Sequence, residues 1–157
     1  MGVTDGHYTT YANGSVATVG AVDQLPCPPG SHCREGVIKK CLEPGTYCGA
    51  KSSVVRSCAA GSYCNTTALQ IACSPGSYCP EGSTAEDECR AGFFCSTPAS
   101  ESECQPGTFC PARSVLPVGA SVGFYTVDAG GKAVIQGAMA QLPCPPGSYC
   151  QEGDIVA

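Results

Sequence analysis

The sequence predicts a small disulfide-rich fold, mostly irregular and β: a linear tandem-repeat rod of cystine-closed turns with short β-hairpins and little or no helix. Three observations predict it. The 157 residues include 14 cysteines, about 9 %, which is typical of disulfide scaffolds. They include no Trp and only four Phe, too few for an ordinary apolar core. A cysteine motif also recurs along the chain, so cross-links replace the missing core.

The recurring motif is Cys, two residues, Gly, one residue, an aromatic residue and Cys. Seven copies account for all 14 cysteines, and the second copy contains one additional residue. The copies are Cys27–Cys33, Cys41–Cys48, Cys58–Cys64, Cys73–Cys79, Cys89–Cys95, Cys104–Cys110 and Cys144–Cys150.

Glycine stands at the same place in every copy, and proline precedes it in five. Pro-Gly favours a type II turn, because proline presets the φ of the second turn position and glycine accepts the positive φ of the third. The turn glycines are Gly30, Gly45, Gly61, Gly76, Gly92, Gly107 and Gly147. The residue before the second cysteine is aromatic except at His32, and we expect these side chains to stack in a thin apolar spine.

The cysteine-free segment 1–26 is expected to form a β-hairpin. Strand-forming residues at 7–11 and 16–19 flank Asn13-Gly14, which favours a type I′ turn. The segment 111–143 is expected to repeat this hairpin, with strands at 124–127 and 133–136 around Gly130-Gly131. Helix is disfavoured because Gly and Pro interrupt almost every window.

A longer period contains the short one. Residues 6–36 align without a gap on residues 123–153, an offset of 117, with 18 of 31 positions identical. The chain therefore divides into the hairpin segment 1–26, six stapled repeats at 27–110, a second hairpin segment at 111–143 and the start of the next repeat at 144–157. This organisation predicts a fragment of a longer array.

Spacing favours disulfide pairing within each copy, from Cys27–Cys33 to Cys144–Cys150. The separation within copies is six in six of seven cases, whereas the separation between copies varies as 8, 10, 9, 10, 9 and 34. Pairing between copies, such as Cys79 with Cys89, is the alternative, because connectivity does not follow from sequence alone.

No catalytic, metal or cofactor site is expected, and the chain is predicted not to be an enzyme. Five residues separate the paired cysteines, more than the two to four typical of zinc ligands, and the only histidines are His7 and His32. His32 occupies a slot that other copies fill with Tyr or Phe, which indicates packing. The acidic run 86–88 lacks the alternating oxygen ligands of a calcium loop and is interpreted as a solvated connector.

Asn13 and Asn65 are predicted N-glycosylation sites, because both stand in N-x-S/T sequons on expected loops. The stretch 96–100 is a compositional candidate for O-linked sugar. Nucleic acid is not an expected partner, because the charge is −5 and the eight basic residues are scattered.

Disulfides persist in oxidising compartments, so an extracellular or cell-surface location is expected, with the flagellar surface as one case. The first ten residues lack the basic start and apolar run of a signal peptide, and no stretch approaches the roughly 20 apolar residues that span a bilayer. We interpret the chain as a segment of a secreted or surface protein.

The CPPGSHC, CSPGSYC and CQPGTFC copies resemble the ephrin-receptor-like cysteine-rich repeat. The Gly-x-Tyr-Thr stretch leading into Gln-Leu-Pro-Cys-Pro-Pro-Gly is most similar to arrays in giant protist surface proteins, among them the mastigoneme proteins of flagellar hairs. The resemblance covers nearly the whole chain. It implies modules that serve as spacers, receptors or filament parts, so it specifies the repeat type more than the function.

Two functions from different classes follow. In the first, the chain is a structural subunit of a mastigoneme-like extracellular filament that associates with itself and with other extracellular glycoproteins, with hairpin edges repeated every 117 residues as contacts. In the second, it is part of a receptor or adhesion ectodomain that binds a protein ligand. Nearly interchangeable repeats favour the first.

Overall fold

The computed structural model describes residues 2–156, which form eighteen short strands. Each strand pairs antiparallel with one neighbour, so the strands form nine separate two-stranded hairpins. The strands are β1 (His7–Thr10), β2 (Asp23–Pro26), β3 (Ser31–Arg34), β4 (Val37–Lys40), β5 (Thr46–Tyr47), β6 (Arg56–Ser57), β7 (Ser62–Thr66), β8 (Leu69–Ala72), β9 (Ser77–Tyr78), β10 (Asp87–Glu88), β11 (Phe93–Thr97), β12 (Ser100–Glu103), β13 (Thr108–Phe109), β14 (Val118–Gly119), β15 (Phe124–Val127), β16 (Ala140–Pro143), β17 (Tyr149–Gln151) and β18 (Asp154–Val156).

The predicted fold class is confirmed. Residues 2–156 contain no helix, the strands pair as short antiparallel hairpins, and seven disulfides close successive turns in tandem. Each strand is two to five residues long, and the motif turns between the hairpins are rich in glycine and proline.

Each cysteine motif folds as a tight turn. All seven turn glycines take φ between 73° and 87°, the left-handed region that glycine tolerates. The residue after the glycine donates its N–H to the carbonyl three residues earlier, as Ser77 does to Ser74 at 3.2 Å. A positive φ at the third position with this bond is the geometry of a type II turn.

We define a coil as one turn with the hairpin that follows it. The nine coils are coil 1 (residues 3–26), coil 2 (27–40), coil 3 (41–57), coil 4 (58–72), coil 5 (73–88), coil 6 (89–103), coil 7 (104–119), coil 8 (120–143) and coil 9 (144–156).

The hairpins of the coils have loops of three lengths. Coils 2, 4, 6 and 9 are tight, with two residues between the strands. Coils 3, 5 and 7 are wide, with eight residues, and coils 1 and 8 are wider, with twelve. Tight and wide coils alternate from coil 2 to coil 7, which accounts for the alternation of 8 or 9 with 10 in the cysteine spacing.

The strand partners expected in the cysteine-free segments are wrong. β1 pairs with β2 at residues 23–26, and β15 pairs with β16 at residues 140–143. The expected partners 16–19 and 133–136 form only isolated bridges, Thr10 with Val16 and Val127 with Ala133. Asn13-Gly14 turns the chain within the loop of coil 1, and of the two only Gly14 takes a positive φ, so the turn is not type I′.

The chain divides into two compact units. The first comprises Met1–Ala72 with Glu81–Ala85, and the second comprises Cys73–Pro80 with Glu86–Ala157. The first contains coils 1 to 4 and part of the wide loop of coil 5. The second contains the rest of coil 5 and coils 6 to 9.

The interior of both units is built from cystines. Thirteen of the fourteen cysteines are at most 8 % exposed. The aromatic residues of the motif are half-buried around them, and Tyr149 is 59 % exposed. Cross-links with a thin apolar cover, rather than large side chains, fill the centre of the coils that contain a cysteine motif.

Candidate interaction surfaces

The seven disulfides join the two cysteines within each motif. Their Cα atoms lie 5.7 to 6.7 Å apart, a distance that a disulfide spans. The bonds are Cys27–Cys33, Cys41–Cys48, Cys58–Cys64, Cys73–Cys79, Cys89–Cys95, Cys104–Cys110 and Cys144–Cys150. Each bond closes one turn against the start of its own hairpin.

Two clusters bring sulfur atoms close to other metal-ligating groups. One joins His32 to Cys41 and Cys48, and the other joins Glu101 to the cystine of coil 6. In both, the sulfurs are held in disulfides, so they do not offer the thiolates that zinc requires. The Nδ1 atom of half-buried His32 lies 3.5 Å from the Cys41 sulfur, so this ring packs on a cystine.

The cysteine-free segments contain the same turn as the cysteine motif. Gly6 and Gly123 both take φ 79°, and the residue after each donates its N–H three residues back, as in all seven motifs. Val3 and Thr9 therefore stand in coil 1 where the cysteines stand in other coils, and Ala120 and Thr126 do so in coil 8. The array is continuous through these segments.

A threonine hydroxyl replaces the second cysteine sulfur in these two coils. Thr126 is fully buried, and its Oγ1 donates to the carbonyls of Val134 at 2.6 Å and Gly153 at 3.1 Å. Thr9 makes the same pair of bonds, to Ala17 and Gly36. Hydrogen bonds to the wide loop and to the next coil therefore hold these turns where other coils have a disulfide.

In coils 1, 4, 5 and 8, a Gln or Glu side chain three residues before the next motif accepts a hydrogen bond from a backbone N–H of the turn of its own coil. We call this side chain the clamp. In coil 4, Gln70 Oε1 accepts the N–H of Ala59 at 3.0 Å, and its Nε2 donates to Ser62 Oγ at 3.3 Å. Gln24, Glu86 and Gln141 make the corresponding backbone bond in coils 1, 5 and 8. In coil 2 the turn begins with a proline, which has no N–H to clamp, and an isoleucine occupies the clamp position.

The clamp of coil 5 is a carboxylate. Oε1 of Glu86 accepts from the buried Ser77 hydroxyl at 2.6 Å, and Oε2 accepts from the Ser74 N–H at 3.1 Å. These hydrogen bonds, that from Ser77 first, lower the pKa of Glu86 because they favour the ionised form. One member of the acidic run at 86–88 therefore closes a turn, and the interpretation of the whole run as a solvated connector is too simple.

One backbone hydrogen bond recurs at every joint between consecutive coils. The residue at the second cysteine position donates its N–H to a loop carbonyl of the next coil, at 2.7 to 3.0 Å. Four of these bonds lie in each compact unit. They are Thr9 to Gly36, Cys33 to Ser52, Cys48 to Thr67, Cys64 to Ser83, Cys79 to Pro98, Cys95 to Ser114, Cys110 to Ala138 and Thr126 to Gly153.

A second bond runs in the opposite direction wherever the following coil is wide. A loop residue of the wide coil donates its N–H to the carbonyl of the first cysteine of the preceding coil, as Lys51 does to Cys27 at 2.8 Å. Gly82, Arg113 and Gly137 donate in the same way to Cys58, Cys89 and Cys104. All four donors take a positive φ, which directs the N–H towards the preceding coil.

A shallow groove lies on the first unit beside the cystine of coil 3. Its lining combines basic side chains of β3 and β4 with exposed valines of the next loop. The lining residues are His32, Arg34, Glu35, Val37, Lys39, Ser53, Val54 and Val55. The matching positions of coil 9 carry Tyr149, Gln151, Glu152, Asp154 and Val156, so the groove is not repeated with the 117-residue period.

The two predicted N-glycosylation asparagines are both exposed. Asn13 lies in the wide loop of coil 1, where its Oδ1 accepts from the N–H and the hydroxyl of Ser15. Asn65 lies in β7 near the tip of a tight hairpin. The Ser and Thr residues of the 96–100 stretch also surround an exposed tip, that of coil 6. Glycosylation stays a prediction at these positions.

No protein-family model, curated protein or solved structure matches the chain. None of the described residues belongs to a helix with the length and apolarity to span a membrane. Seven disulfides in tandem fit an extracellular or secreted protein. The chain is therefore a cysteine-rich tandem-repeat module, of a kind suited to an extracellular structural element or a receptor ectodomain.

Proposed function

We propose that the chain is a structural segment of an extracellular filament or surface appendage of the mastigoneme type, without enzymatic activity. Its coils extend length without requiring a larger core, since each coil packs on coils one or two places along the chain, as Gly45 of coil 3 packs on Gly82 of coil 5. Covalent glycans at Asn13 and Asn65 belong to the same proposal, as does association with other copies or with other extracellular glycoproteins.

The observation that carries the proposal is the recurrence of the joint. The same N–H to carbonyl bond links all eight consecutive pairs of coils, including the joints of coils 1 and 8, where the cystine is missing. A segment that preserved a binding site would need only some coils to be regular. Uniform joints favour a structural role, in which the regular repeat itself carries the function.

The groove beside coil 3 supports the alternative, a receptor or adhesion ectodomain. It is the kind of individually distinctive surface that a ligand site requires, because its basic side chains His32, Arg34 and Lys39 do not recur at the matching positions of coil 9. A protein ligand with acidic and apolar side chains would fit this lining.

Electron microscopy of the native material that contains this chain tests the two functions. The structural proposal predicts ordered fibres with an axial repeat whose density accommodates the 117-residue period. Isolated flexible stalks on a membrane, with no axial repeat, would contradict it and favour the receptor. Labelling with an antibody against the chain ensures that the fibres measured are the ones that contain it.

A further inference from the structure

The groove beside coil 3 brings together basic side chains that are separated in the sequence. His32, Arg34 and Lys39 share one face of the hairpin β3–β4, because His32 pairs directly with Lys39 and Arg34 stands two residues after His32. Val54 and Val55 line the same groove, and both are exposed. The groove therefore offers positive charge and apolar surface side by side.

We propose that this groove binds the acidic strand of a second copy of the chain. The acidic strand is defined as residues 86–88, which comprise β10 and the clamp of coil 5. The inference rests on the proposed filament role and deepens it, since it names a contact through which neighbouring filaments associate side by side.

The basic residues around the groove have no acidic partners of their own. Residues 34–56 contain five of the eight basic residues of the chain and two acidic residues, a net charge of +3. Within residues 2–156, none of these five forms an ion pair, whereas the ion pairs Arg90–Glu101 and Arg113–Glu88 both lie in the second unit. An unpaired positive surface of this kind favours an acidic partner.

The positive charge is not a requirement of the coil fold. Coils 4 and 6 pair the same two strands around their cystines, yet the positions of His32, Arg34 and Lys39 are uncharged there. The matching residues are Tyr63, Asn65 and Ile71 in coil 4, and Phe94, Ser96 and Ser102 in coil 6. The basic groove thus distinguishes one coil from others that fold in the same way.

The acidic strand has the complementary charge. Residues 86–103 contain five acidic residues and one basic residue, a net charge of −4. Glu86 holds the turn of coil 5 and Glu88 pairs with Arg113, but the exposed Asp87 carboxylate has no hydrogen bond or ion pair within residues 2–156. Asp87 is therefore the carboxylate that is available to a partner.

The lining favours a peptide strand as the occupant. Valine side chains lower the local dielectric, which strengthens an ion pair formed against them. An acidic strand preceded by an apolar residue, as Ala85 precedes the strand at 86–88, matches both parts of the lining. A polyanionic polysaccharide matches only the basic part.

This contact would give neighbouring filaments a defined register. The joints between coils are all alike, so they do not specify which coil of one filament lies beside which coil of another. The charged groove marks one coil in the series, and its occupation defines a single register. A few exposed charge pairs make the contact weak and sensitive to salt, so association depends on concentration.

Sedimentation velocity of the oxidised chain at low ionic strength tests the inference. The weight-average mass should rise with concentration, and the rise should diminish as salt is added. Lys39→Glu should weaken association about tenfold, because it replaces an attraction to Asp87 with a repulsion. Lys40→Glu is the matched control, since it changes the net charge equally at a residue that pairs with Ser31 and lies on the other face of β4.

A mixing experiment tests the pairing of the two surfaces. Asp87→Lys alone should weaken association as Lys39→Glu does, because the acidic strand then carries a cation towards a basic groove. The two variants should associate again when they are mixed, since Asp87→Lys keeps an intact groove and Lys39→Glu keeps an intact acidic strand. Recovery in the mixture also shows that both variants are folded.

A chain that stays monomeric at low salt up to its solubility limit would overturn the inference, as would equal weakening by Lys39→Glu and Lys40→Glu. Dextran sulfate is the probe for the competing occupant. Its binding to a chain that does not self-associate would assign the groove to an anionic polysaccharide instead. None of these results changes the axial repeat of native fibres, which tests the filament role separately.

Discussion

Glycine meets two separate requirements at the turn of each coil. It accepts the positive φ of the third turn position, and it lets a neighbouring backbone approach. A Cβ on Gly45 would overlap the carbonyl of Gly82, whereas a Cβ on Gly30 would meet its nearest atom, the Ala68 Cβ, at 3.8 Å. The conformational requirement is common to all turns, and the packing requirement differs from turn to turn.

We expect Gly45→Ala to lower the free energy of unfolding more than Gly30→Ala does. Both substitutions put an L residue at positive φ, which costs about 1 to 2 kcal/mol. Only Gly45→Ala adds a backbone overlap that must be relieved by movement of the loop. Urea denaturation of the oxidised variants gives the comparison, and equal losses would show that the close approach to Gly82 has no energetic weight.

The carboxylate clamp makes the second unit sensitive to acid. The folded-state pKa of Glu86 lies below its usual value of 4.5, chiefly because Ser77 donates a hydrogen bond to the carboxylate. The contribution to stability is therefore complete above that usual value and is lost as pH falls from it through the folded-state pKa. We expect the midpoint temperature of thermal unfolding of the unmodified chain to decrease as the pH is lowered through this range.

Glu86→Gln should reduce that acid dependence while preserving the fold at neutral pH. Its amide can accept from Ser74 and donate to the Ser77 hydroxyl, which is the arrangement that Gln70 has in coil 4. Thermal unfolding of both proteins between neutral pH and pH values below the usual Glu pKa is the measurement. Parallel pH profiles would show that Glu86 does not cause the acid loss.

At the scale of the element, the coil tolerates two ways of closing its turn. Seven coils use a cystine, and coils 1 and 8 use a threonine hydroxyl with two carbonyl acceptors. The backbone bonds of the turn and of the joints are the same in both kinds of coil. The closing group therefore stabilises a conformation that the Gly turn and the hairpin already specify.

This equivalence predicts that coil 8 accepts a new disulfide. In the double variant Ala120→Cys/Thr126→Cys, the two cysteines take the motif positions and should oxidise together. The bond should add about 2 kcal/mol for so short a loop, offset by about 1 kcal/mol for the lost hydroxyl bonds. Thiol titration should find no additional free thiol, and the urea midpoint should rise.

Thr126→Val is the control for that experiment. It retains the shape of the buried side chain and removes the hydroxyl, so it should lower stability by about 1 kcal/mol without changing the thiol count. If the double variant keeps two free thiols, the turn of coil 8 does not have the geometry of a cysteine motif.

At the scale of the whole molecule, the cystines are the core. In both units they occupy the buried centre that large side chains occupy in an ordinary domain. Each short-loop disulfide contributes a few kcal/mol at most, yet the net stability of a domain is only about 5 to 15 kcal/mol. Loss of several cystines therefore removes more stability than such a chain possesses.

We expect full reduction to unfold both units at neutral pH without denaturant. Hydrogen exchange followed by peptide mass spectrometry should show loss of protection in coils 2 to 4 and coils 6 to 8 when a phosphine reductant is added. Coil 8 provides an internal comparison, since it has no cystine of its own and should lose protection only through its neighbours. Protection of coil 8 that persists after reduction would mean that its hydrogen bonds suffice alone.

The sequence by itself determined the cystine-closed turns, because a fixed Cys separation with an invariant Gly admits few backbone conformations. It also determined the absence of a large apolar core and the 117-residue period. Tertiary structure decided which strands pair in the cysteine-free segments. Residues 124–127 can form equally plausible hairpins with 133–136 or with 140–143, and in coil 8 the loop residues Gly137 and Ala138 must reach coil 7 to make the joint bonds. The turns at Gly6 and Gly123 lack the cysteines that mark the other turns, so only the folded chain, in which Thr9 and Thr126 bond to the next coil, reveals them as members of the array.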